Sequence, residues 1–269
     1  MADSKSRSGG RRYLLPESVL PRVDAGTPSR IPRVIYQTCR TGEVPIGMYN
    51  AAGSWMARNP EYAYEFFDDE RMSGFIERFD CSGFAFGAHE LARAFARIRP
   101  GAGKADLFRY LLVHERGGVY MDIDTFCIGR LGRFVGPEDD VVSGIGGRGD
   151  LHQWGLVYSP KHPFMKRVAE LTVANILAAS FVAGYENSLE GVSGPPCLDL
   201  AVKEVLGLAP SFRFSAGTFV LDTPAGATRL RLLDGDCFAG NVGFKYSRYR
   251  QDLASLGIDY WMDEELFNT

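Results

Sequence analysis

Residues 103–124 read GKADLFRYLLVHERGGVYMDID, and this stretch decides the fold. The pattern from Gly103 to Arg116 predicts a well-buried helix, which Gly117-Gly118 would end. A strand over Val119–Met121 must follow at once, and it delivers Asp122-Ile123-Asp124 to its C-terminal end. In α/β folds, ligand chemistry lies at that end of the strands.

The segments around this stretch alternate between predicted strands and helices. A β-branched and aromatic run at Arg33–Gln37 predicts the first core strand, and a helix over 45–58 leads to a second strand over Tyr62–Phe67. The alternation predicts an α/β fold with a Rossmann-like, mostly parallel sheet flanked by helices. Further helices are predicted at 72–79, 88–97, 163–179 and 198–206, and further strands at 141–142 and 155–159.

The chain length and composition bound the domain count. With 269 residues, 45% of them hydrophobic, we expect a single domain over residues 31–269. Residues 1–30 are rich in Pro, Ser, Gly and basic residues, and we expect a flexible tail there.

Charge, hydropathy and cysteine usage exclude several classes of protein. The formal net charge of -3 gives no basic footprint for nucleic acid, so we expect no nucleic-acid partner. The most apolar later segment, Leu171–Ala183, is too short and too polar to span a bilayer, so we predict a cytoplasmic protein without a transmembrane segment. The five cysteines form no CxxC pair, which favours reduced thiols over a zinc or redox site.

The Asp-x-Asp motif at the strand end is the first chemical signal. Side chains alternate along a strand, so Asp122 and Asp124 lie on the same side of the backbone. Two hard oxygen ligands suit Mg2+ or Mn2+, whose remaining positions can be filled by diphosphate oxygens and water. Alone the motif is weak, because most short Asp-x-Asp matches are turns or solvated acids.

A second pair of residues strengthens this interpretation. Asp106 and Arg109 lie three apart on the preceding helix and share one face. The Gly-Gly turn can bring that face back beside the two carboxylates. There Arg109 would neutralise phosphate charge, and Asp106 would accept hydrogen bonds from sugar hydroxyls. On spacing alone, an internal ion pair that fastens the helix to the sheet is an equally good interpretation.

Other acidic and histidine positions are weaker candidates. Asp234-Gly235-Asp236 is predicted to be a β-turn, and Asp139-Asp140 a loop. The four histidines, His89, His114, His152 and His162, have no metal-ligand spacing and are predicted to pack or to lie on the surface.

The order of these motifs resembles that of a known family. The residues that carry the resemblance are Ile31 to Thr38, Ser54-Trp55, Asn59 to Tyr62, Lys104 to Tyr110, Gly117 to Asp124, Gln153-Trp154, Ser159 to Phe164 and Ser193 to Pro195. In this order they resemble the family 32 glycosyltransferases. These Asp-x-Asp enzymes include the yeast initiating α-mannosyltransferase and capsular polysaccharide enzymes, with the clostridial glucosylating toxins as distant relatives.

The resemblance implies a GT-A fold, a UDP- or GDP-sugar donor, manganese or magnesium, and hexosyl transfer with retention of configuration to an acceptor that the family does not fix. It implies a metal and diphosphate role for Asp122 and Asp124, with Asp124 as the first choice for a direct ligand. Asp106 and Arg109 would contact donor sugar and phosphate, and Tyr36 would stack on the base. The full set of predicted donor-binding residues is Ile35, Tyr36, Gln37, Asp106, Arg109, Tyr120, Gln153 and Trp154.

Departures from the family pattern leave alternatives open. The membrane anchor of the yeast enzymes has no counterpart, and in residues 238–269 only Trp261 and the run Lys245 to Arg250 are suggestive. That run would close over the diphosphate or form a solvated basic helix face. A haloacid-dehalogenase-like phosphohydrolase fits less well, because Phe126 stands where its motif needs Thr or Val. A nucleotide-sugar-binding module without turnover is the third hypothesis.

Overall fold

The computed structural model describes residues 11–147, 149–258 and 265–268. The strands there are β1 (Arg12–Leu14), β2 (Ser18–Val19), β3 (Val34–Thr38), β4 (Glu43–Pro45), β5 (Ala63–Phe67), β6 (Gly118–Met121), β7 (Thr125–Cys127), β8 (Val141–Gly144), β9 (Gly155–Tyr158), β10 (Gly217–Thr223), β11 (Gly226–Leu233) and β12 (Val242–Phe244). The α-helices are α1 (Ile46–Arg58), α2 (Asp69–Glu77), α3 (Ala88–Arg97), α4 (Gly101–Arg116), α5 (Pro163–Ala178), α6 (Leu189–Ser193), α7 (Pro195–Leu206), α8 (Asp236–Gly240) and α9 (Tyr249–Ser255).

A central sheet of eight strands organises the molecule in the order β10-β11-β8-β9-β6-β3-β5-β2. From the pairings, β3, β5, β6, β8 and β11 run in one direction, and β2, β9 and β10 run in the other. The predicted α/β fold with a mostly parallel sheet is therefore confirmed. Two further ribbons, β1 with β4 and β7 with β12, lie outside the main sheet.

The core consists of two hydrophobic clusters, one on each face of the sheet. Neighbouring residues of β3 divide between them, because Ile35 belongs to the cluster with α1 and Tyr36 to the cluster with α4 and α5. This is the two-residue alternation expected of a strand covered on both faces. The sheet is thus sandwiched between helices, as predicted.

Helix α4 is the most deeply buried helix. Residues 107–108 and 110–113 are all 0% exposed, so nearly its whole circumference lies in the core. The helix ends at Gly117, whose φ is 63°, and Gly118 has a φ of 106°. A β-carbon at Gly117 would lie 2.6 Å from the backbone nitrogen of Pro160, so only glycine fits this turn into β6.

The N-terminal segment differs from the flexible tail predicted over residues 1–30. Residues 1–10 lie outside the described residues, but β1 pairs with β4 and β2 pairs with β5. Leu15, between these strands, is only 2% exposed and belongs to the core. Burial of apolar side chains and backbone pairing therefore attach this segment to the domain despite its Pro-rich composition.

The hairpin of β10 and β11 forms one edge of the sheet and is absent from the predicted strands. This hairpin also changes the environment of Asp139, which was predicted to lie in a loop. Asp139 is fully buried and accepts hydrogen bonds from Arg229 and Arg231 of β11. It fastens the loop before β8 to the hairpin, so its role is structural.

No helix among the described residues has the length and apolarity needed to cross a bilayer. Trp261, which the sequence singled out, lies outside the described residues.

Two buried histidines give the fold a pH dependence. His162 caps α5: its Nδ1 accepts from the Phe164 amide, and its Nε2 lies 2.8 Å from Oγ1 of Thr228. Burial lowers the pKa of His162 to about 4, and that of His114 to about 4 as well. Both imidazoles are neutral in the fold and bind protons more readily when unfolded, so their contribution to stability falls as pH drops from about 6.5 towards 4.

We therefore expect the two histidines to make the free energy of unfolding in urea lower near pH 5 than near pH 7.5, whereas the raised pKa values of Asp106 and Asp124 act in the opposite direction. His162→Asn keeps an N-cap acceptor but removes the titrating ring, so the free energy of unfolding that it costs should be smaller near pH 5 than near pH 7.5. The matched control is His89→Asn at an exposed helix position, whose effect should be the same at both pH values. An equal cost of His162→Asn at the two pH values would contradict the assignment.

Candidate functional site

Arg109 lies at the centre of the candidate site, where α4 meets the C-terminal end of β6. Its side chain is only 5% exposed, and Nη2 lies 3.1 Å from Oδ1 of Asp106 and 3.1 Å from Oδ1 of Asp122. Its Nη1 donates to the backbone oxygen of Gln153 at 3.2 Å, and the guanidinium lies 4.8 Å from the ring centre of Tyr120. The predicted helix face and the Asp-x-Asp motif are therefore brought together by one buried cation.

Asp106 is held from three directions. Nε2 of Gln153 donates to its Oδ1 at 2.6 Å, and Oγ of Ser193 donates to its Oδ2 at 2.7 Å. Burial raises the pKa of Asp106 to about 6, although Arg109, Ser193 and Gln153 each act to lower it. Both oxygens are thus bound, and the carboxylate is fixed rather than free to turn.

The two aspartates of the motif differ in their surroundings. Asp122 is 25% exposed at its side chain, and Oδ1 accepts from Arg109 and from the Tyr120 hydroxyl at 3.1 Å. Asp124 is only 4% exposed, and its buried Oδ1 has no hydrogen-bond partner among the residues that the structure describes. Burial and the charge of Asp122 raise the pKa of Asp124 to about 7, against the opposing effect of Lys245 and Arg109.

Backbone contacts fix the loop that carries the motif. The Asp122 amide donates to the Trp154 oxygen at 2.9 Å, and the Asp122 oxygen accepts from Oγ1 of Thr125 at 2.6 Å and from Nε2 of Gln37 at 3.2 Å. Nε1 of Trp55 donates to the Thr125 oxygen at 3.2 Å. The positions of both carboxylates are therefore set by the strands and by α1.

The ribbon of β7 and β12 supplies the other side of the site. Phe244 is the last paired residue of β12 and lies opposite Thr125, so Lys245 follows at the end of β12 next to the motif. The Phe244 ring stacks on Trp154 with 4.8 Å between ring centres, and Nζ of Lys245 lies 4.9 Å from the Phe244 ring centre. The positive charge of Lys245 acts to lower the pKa of Asp122 and of Asp124, both of which burial raises.

The carboxylate pair meets part of the requirement for a divalent cation. A buried carboxylate oxygen without a hydrogen bond is costly, and a bound cation would compensate for that cost. Hard oxygen donors are the ligands that Mg2+ and Mn2+ prefer. Among the residues that the structure describes, no third His, Cys, Asp or Glu joins the pair.

The structure brings most of the predicted site residues together, but not those of β3. Asp106, Arg109, Tyr120, Asp122, Asp124, Gln153 and Trp154 lie in one connected group. Ile35 and Tyr36 are 1% and 2% exposed and pack in the two core clusters, apart from this group, and their donor contacts stay predictions. Gln37 is fully buried, and its side-chain amide donates a hydrogen bond to the backbone oxygen of Asp122.

Two contributors were absent from the predicted site. Ser193 lies at the end of α6 and reaches Asp106 across 87 residues of sequence. Phe244 immediately precedes the basic run Lys245 to Arg250. Its stacking on Trp154 could not be predicted from short-range patterns, because Trp154 lies 90 residues earlier in the sequence. Only the Ser193 to Pro195 motif of the family resemblance pointed to either residue.

Comparison with known proteins confirms the resemblance. Residues 47–142 match the profile of a family described as glycosyltransferase sugar-binding region containing DXD motif. The inositol phosphoceramide mannosyltransferase 2 of Schizosaccharomyces pombe is 32% identical over 52% of this chain and 38% of its own length. The initiation-specific alpha-1,6-mannosyltransferase of Candida albicans is 32% identical over 35% of this chain and 24% of its own.

These matches cover only part of the relatives. The chain spans roughly a quarter to two-fifths of the length of the curated proteins it matches. Among solved structures, PaToxG glycosyltransferase aligns with a TM-score of 0.47 and 15% identity, over 65% of this chain and 68% of that one.

Asp124→Asn should stabilise the protein in the absence of metal. Because the folded state raises the pKa of Asp124 to about 7, the cost of ionising it develops as pH rises from about 4 to 7 and is complete above 7. We therefore expect Tm near pH 8 to rise by roughly 2–4 °C for each kcal/mol recovered. Differential scanning calorimetry in a chelating buffer measures this.

The matched control is Asp139→Asn, which removes a buried carboxylate that has two arginine partners and should lower Tm. MnCl2 should raise the Tm of the wild type and leave that of Asp124→Asn unchanged. A lower Tm for Asp124→Asn in chelator would contradict the assigned electrostatic strain.

Proposed function

We propose that the chain is a metal-dependent glycosyltransferase that moves a hexosyl unit from a nucleotide-diphosphate sugar to an acceptor hydroxyl. The observation that carries the proposal is Arg109, a buried cation that bridges Asp106 and Asp122 beside a buried Asp124 oxygen without a hydrogen bond. The match to the sugar-binding region with the DXD motif supports it, as do the mannosyltransferase relatives.

Asp122 and Asp124 are the residues that would hold Mn2+ or Mg2+. Within the described ranges, the side-chain hydrogen bonds of Asp122 go to Oδ1, which leaves Oδ2 for an ion, and no donor contacts Oδ1 of Asp124. When bound, the ion would offset the charge of the donor diphosphate and of the leaving group.

Arg109 would act on the donor as a fixed positive charge. Its orientation is set by Asp106, Asp122 and the Gln153 oxygen, so it needs no reorganisation when charge develops on the leaving diphosphate. Preorganised charge of this kind is usually the largest catalytic contribution. Asp106 keeps one acceptor position on Oδ2 beyond its bond to Ser193, which suits a hydroxyl of the donor sugar.

We infer retention of anomeric configuration from the family resemblance, with attack of the acceptor on the face that the leaving group occupied. In that mechanism the departing phosphate takes up the acceptor proton, so we assign no protein base. The names of the relatives make GDP-mannose the first donor to test and UDP-hexoses the comparison.

Donor binding is tested by differential scanning fluorimetry with GDP- and UDP-sugars, with and without MnCl2. A ligand that binds only the folded state stabilises it, so one class of donor should raise Tm by several degrees only when the metal is present. Absence of a metal-dependent shift with every donor would exclude the proposed function.

Transfer or donor hydrolysis should then depend on both aspartates. We expect Asp122→Asn and Asp124→Asn each to lower kcat at least about 100-fold, because each removes a contact to the charged transition state. Asp80→Asn, at an exposed position, is the control. Undiminished turnover in either site variant contradicts the assignment, and release of phosphate from phosphomonoesters would favour the phosphohydrolase hypothesis.

A further inference from the structure

The segment after β12 brings a lysine to the Asp-x-Asp motif from far along the chain. β12 runs antiparallel to β7, with Val242 opposite Cys127 and Phe244 opposite Thr125. A β-carbon at Gly243 would lie 2.0 Å from Cζ of Phe126, so the Phe126 ring packs directly over Gly243. The pairing ends at Phe244, and Lys245 is the next residue, at the end of β12 that lies beside the start of β7.

An aromatic stack positions the ammonium group of Lys245. Trp154 lies between His152, at 4.8 Å between ring centres, and Phe244, also at 4.8 Å with 25° between the planes. Nζ of Lys245 lies 4.9 Å from the centre of the Phe244 ring, within the range of a cation–π interaction. The stack is anchored to the motif, because the Trp154 oxygen accepts from the Asp122 amide.

Two further observations describe the position of Lys245. Its φ is 52°, a left-handed conformation that is uncommon for residues with a β-carbon and that the exposed Lys161 also adopts, with a φ of 59°. Lys245 is solvent-exposed, whereas the carboxylates that its charge affects are part-buried and buried. Its ammonium group therefore lies on the open side of the site, from which a donor would enter.

We propose that Lys245 is a catalytic residue whose ammonium group contacts the diphosphate of the donor, and that Phe244 is the residue that positions it. This proposal rests on the proposed function. As the bond between the anomeric carbon and the β-phosphate oxygen breaks, the bonding pair goes to that oxygen, and Lys245 offsets the new negative charge. The acceptor oxygen bonds to the anomeric carbon and its proton goes to the departing phosphate.

The test measures kcat and KM of Lys245→Met for donor turnover with MnCl2, using the donor found in the thermal screen. Lys245→Met keeps the side-chain length but removes the charge, so we expect kcat to fall about 100-fold with KM changed by less than about three-fold. Lys245→Arg should retain at least a tenth of wild-type kcat. Ethylammonium should partly rescue Lys245→Ala, whereas tetramethylammonium at equal ionic strength, which lacks N–H donors, should not.

Product affinity separates a catalytic role from a merely structural one. By isothermal titration calorimetry with MnCl2, Lys245→Met should bind the nucleoside diphosphate at least about 10-fold more weakly and the nucleoside monophosphate as well as the wild type does. Phe244→Ala should reproduce part of this loss and Phe244→Tyr should not. Phe212→Ala, at a similarly exposed phenylalanine, and Lys166→Met are the controls for general loss of stability.

The outcomes separate the two proposals. In one outcome, the wild type turns over the donor, and Lys245→Met has the same kcat and the same affinity for the nucleoside diphosphate. This result would overturn the role of Lys245 and leave the proposed function intact. A wild type that neither binds nucleoside diphosphate with MnCl2 nor turns over any donor overturns the proposed function itself.

Discussion

The site depends on the burial of one guanidinium group. Arg109 is almost fully removed from solvent, which is costly unless the charge is paired and its donors are satisfied. Asp106 on the same helix and Asp122 at the end of the next strand meet both requirements. Helix α4, the Gly117-Gly118 turn and β6 are therefore held in one relative position, and loss of either carboxylate would leave the buried guanidinium with a single carboxylate partner.

The same neighbourhood contains one carboxylate with partners on both oxygens and one with a buried oxygen that has none. Asp106 is bound by Gln153, Ser193 and Arg109. Within the described part of the chain, Oδ1 of Asp124 is buried without a hydrogen-bond partner, although Asp124 lies only two residues from the paired Asp122. A fold stabilises satisfied groups at low cost, so an unsatisfied one beside them is typical of a site that a ligand completes.

The sequence predicted the local parts of this arrangement well. Helix α4, its glycine stop, β6 and the shared face of Asp106 and Arg109 follow from short-range patterns, and the structure contains each of them. Spacing alone could not separate a structural ion pair of Asp106 and Arg109 from a functional role of the two residues. Both interpretations involve the same contacts of Arg109 with Asp106 and Asp122. The pair fastens the helix to the sheet and also points Arg109 at the motif.

Two features lie beyond short-range patterns. The family resemblance implies that Tyr36 stacks on the base, whereas in the structure Tyr36 lies within β3, which continues to Thr38, and packs in the core. Its burial depends on contacts with residues that are distant in the sequence. Lys245 was left between two interpretations, because its position depends on the pairing of β12 with β7, more than a hundred residues earlier in the chain.

The balance of charge indicates how the parts would act together in the proposed function. Three carboxylates, Asp106, Asp122 and Asp124, face two cations, Arg109 and Lys245. With all three acids ionised, this group carries one net negative charge and would repel a diphosphate. A divalent cation reverses the sign, so metal binding makes the site attractive to the donor. Binding of the metal before or together with the donor follows from this balance, because the two carboxylates of the motif would otherwise lie directly against phosphate oxygens.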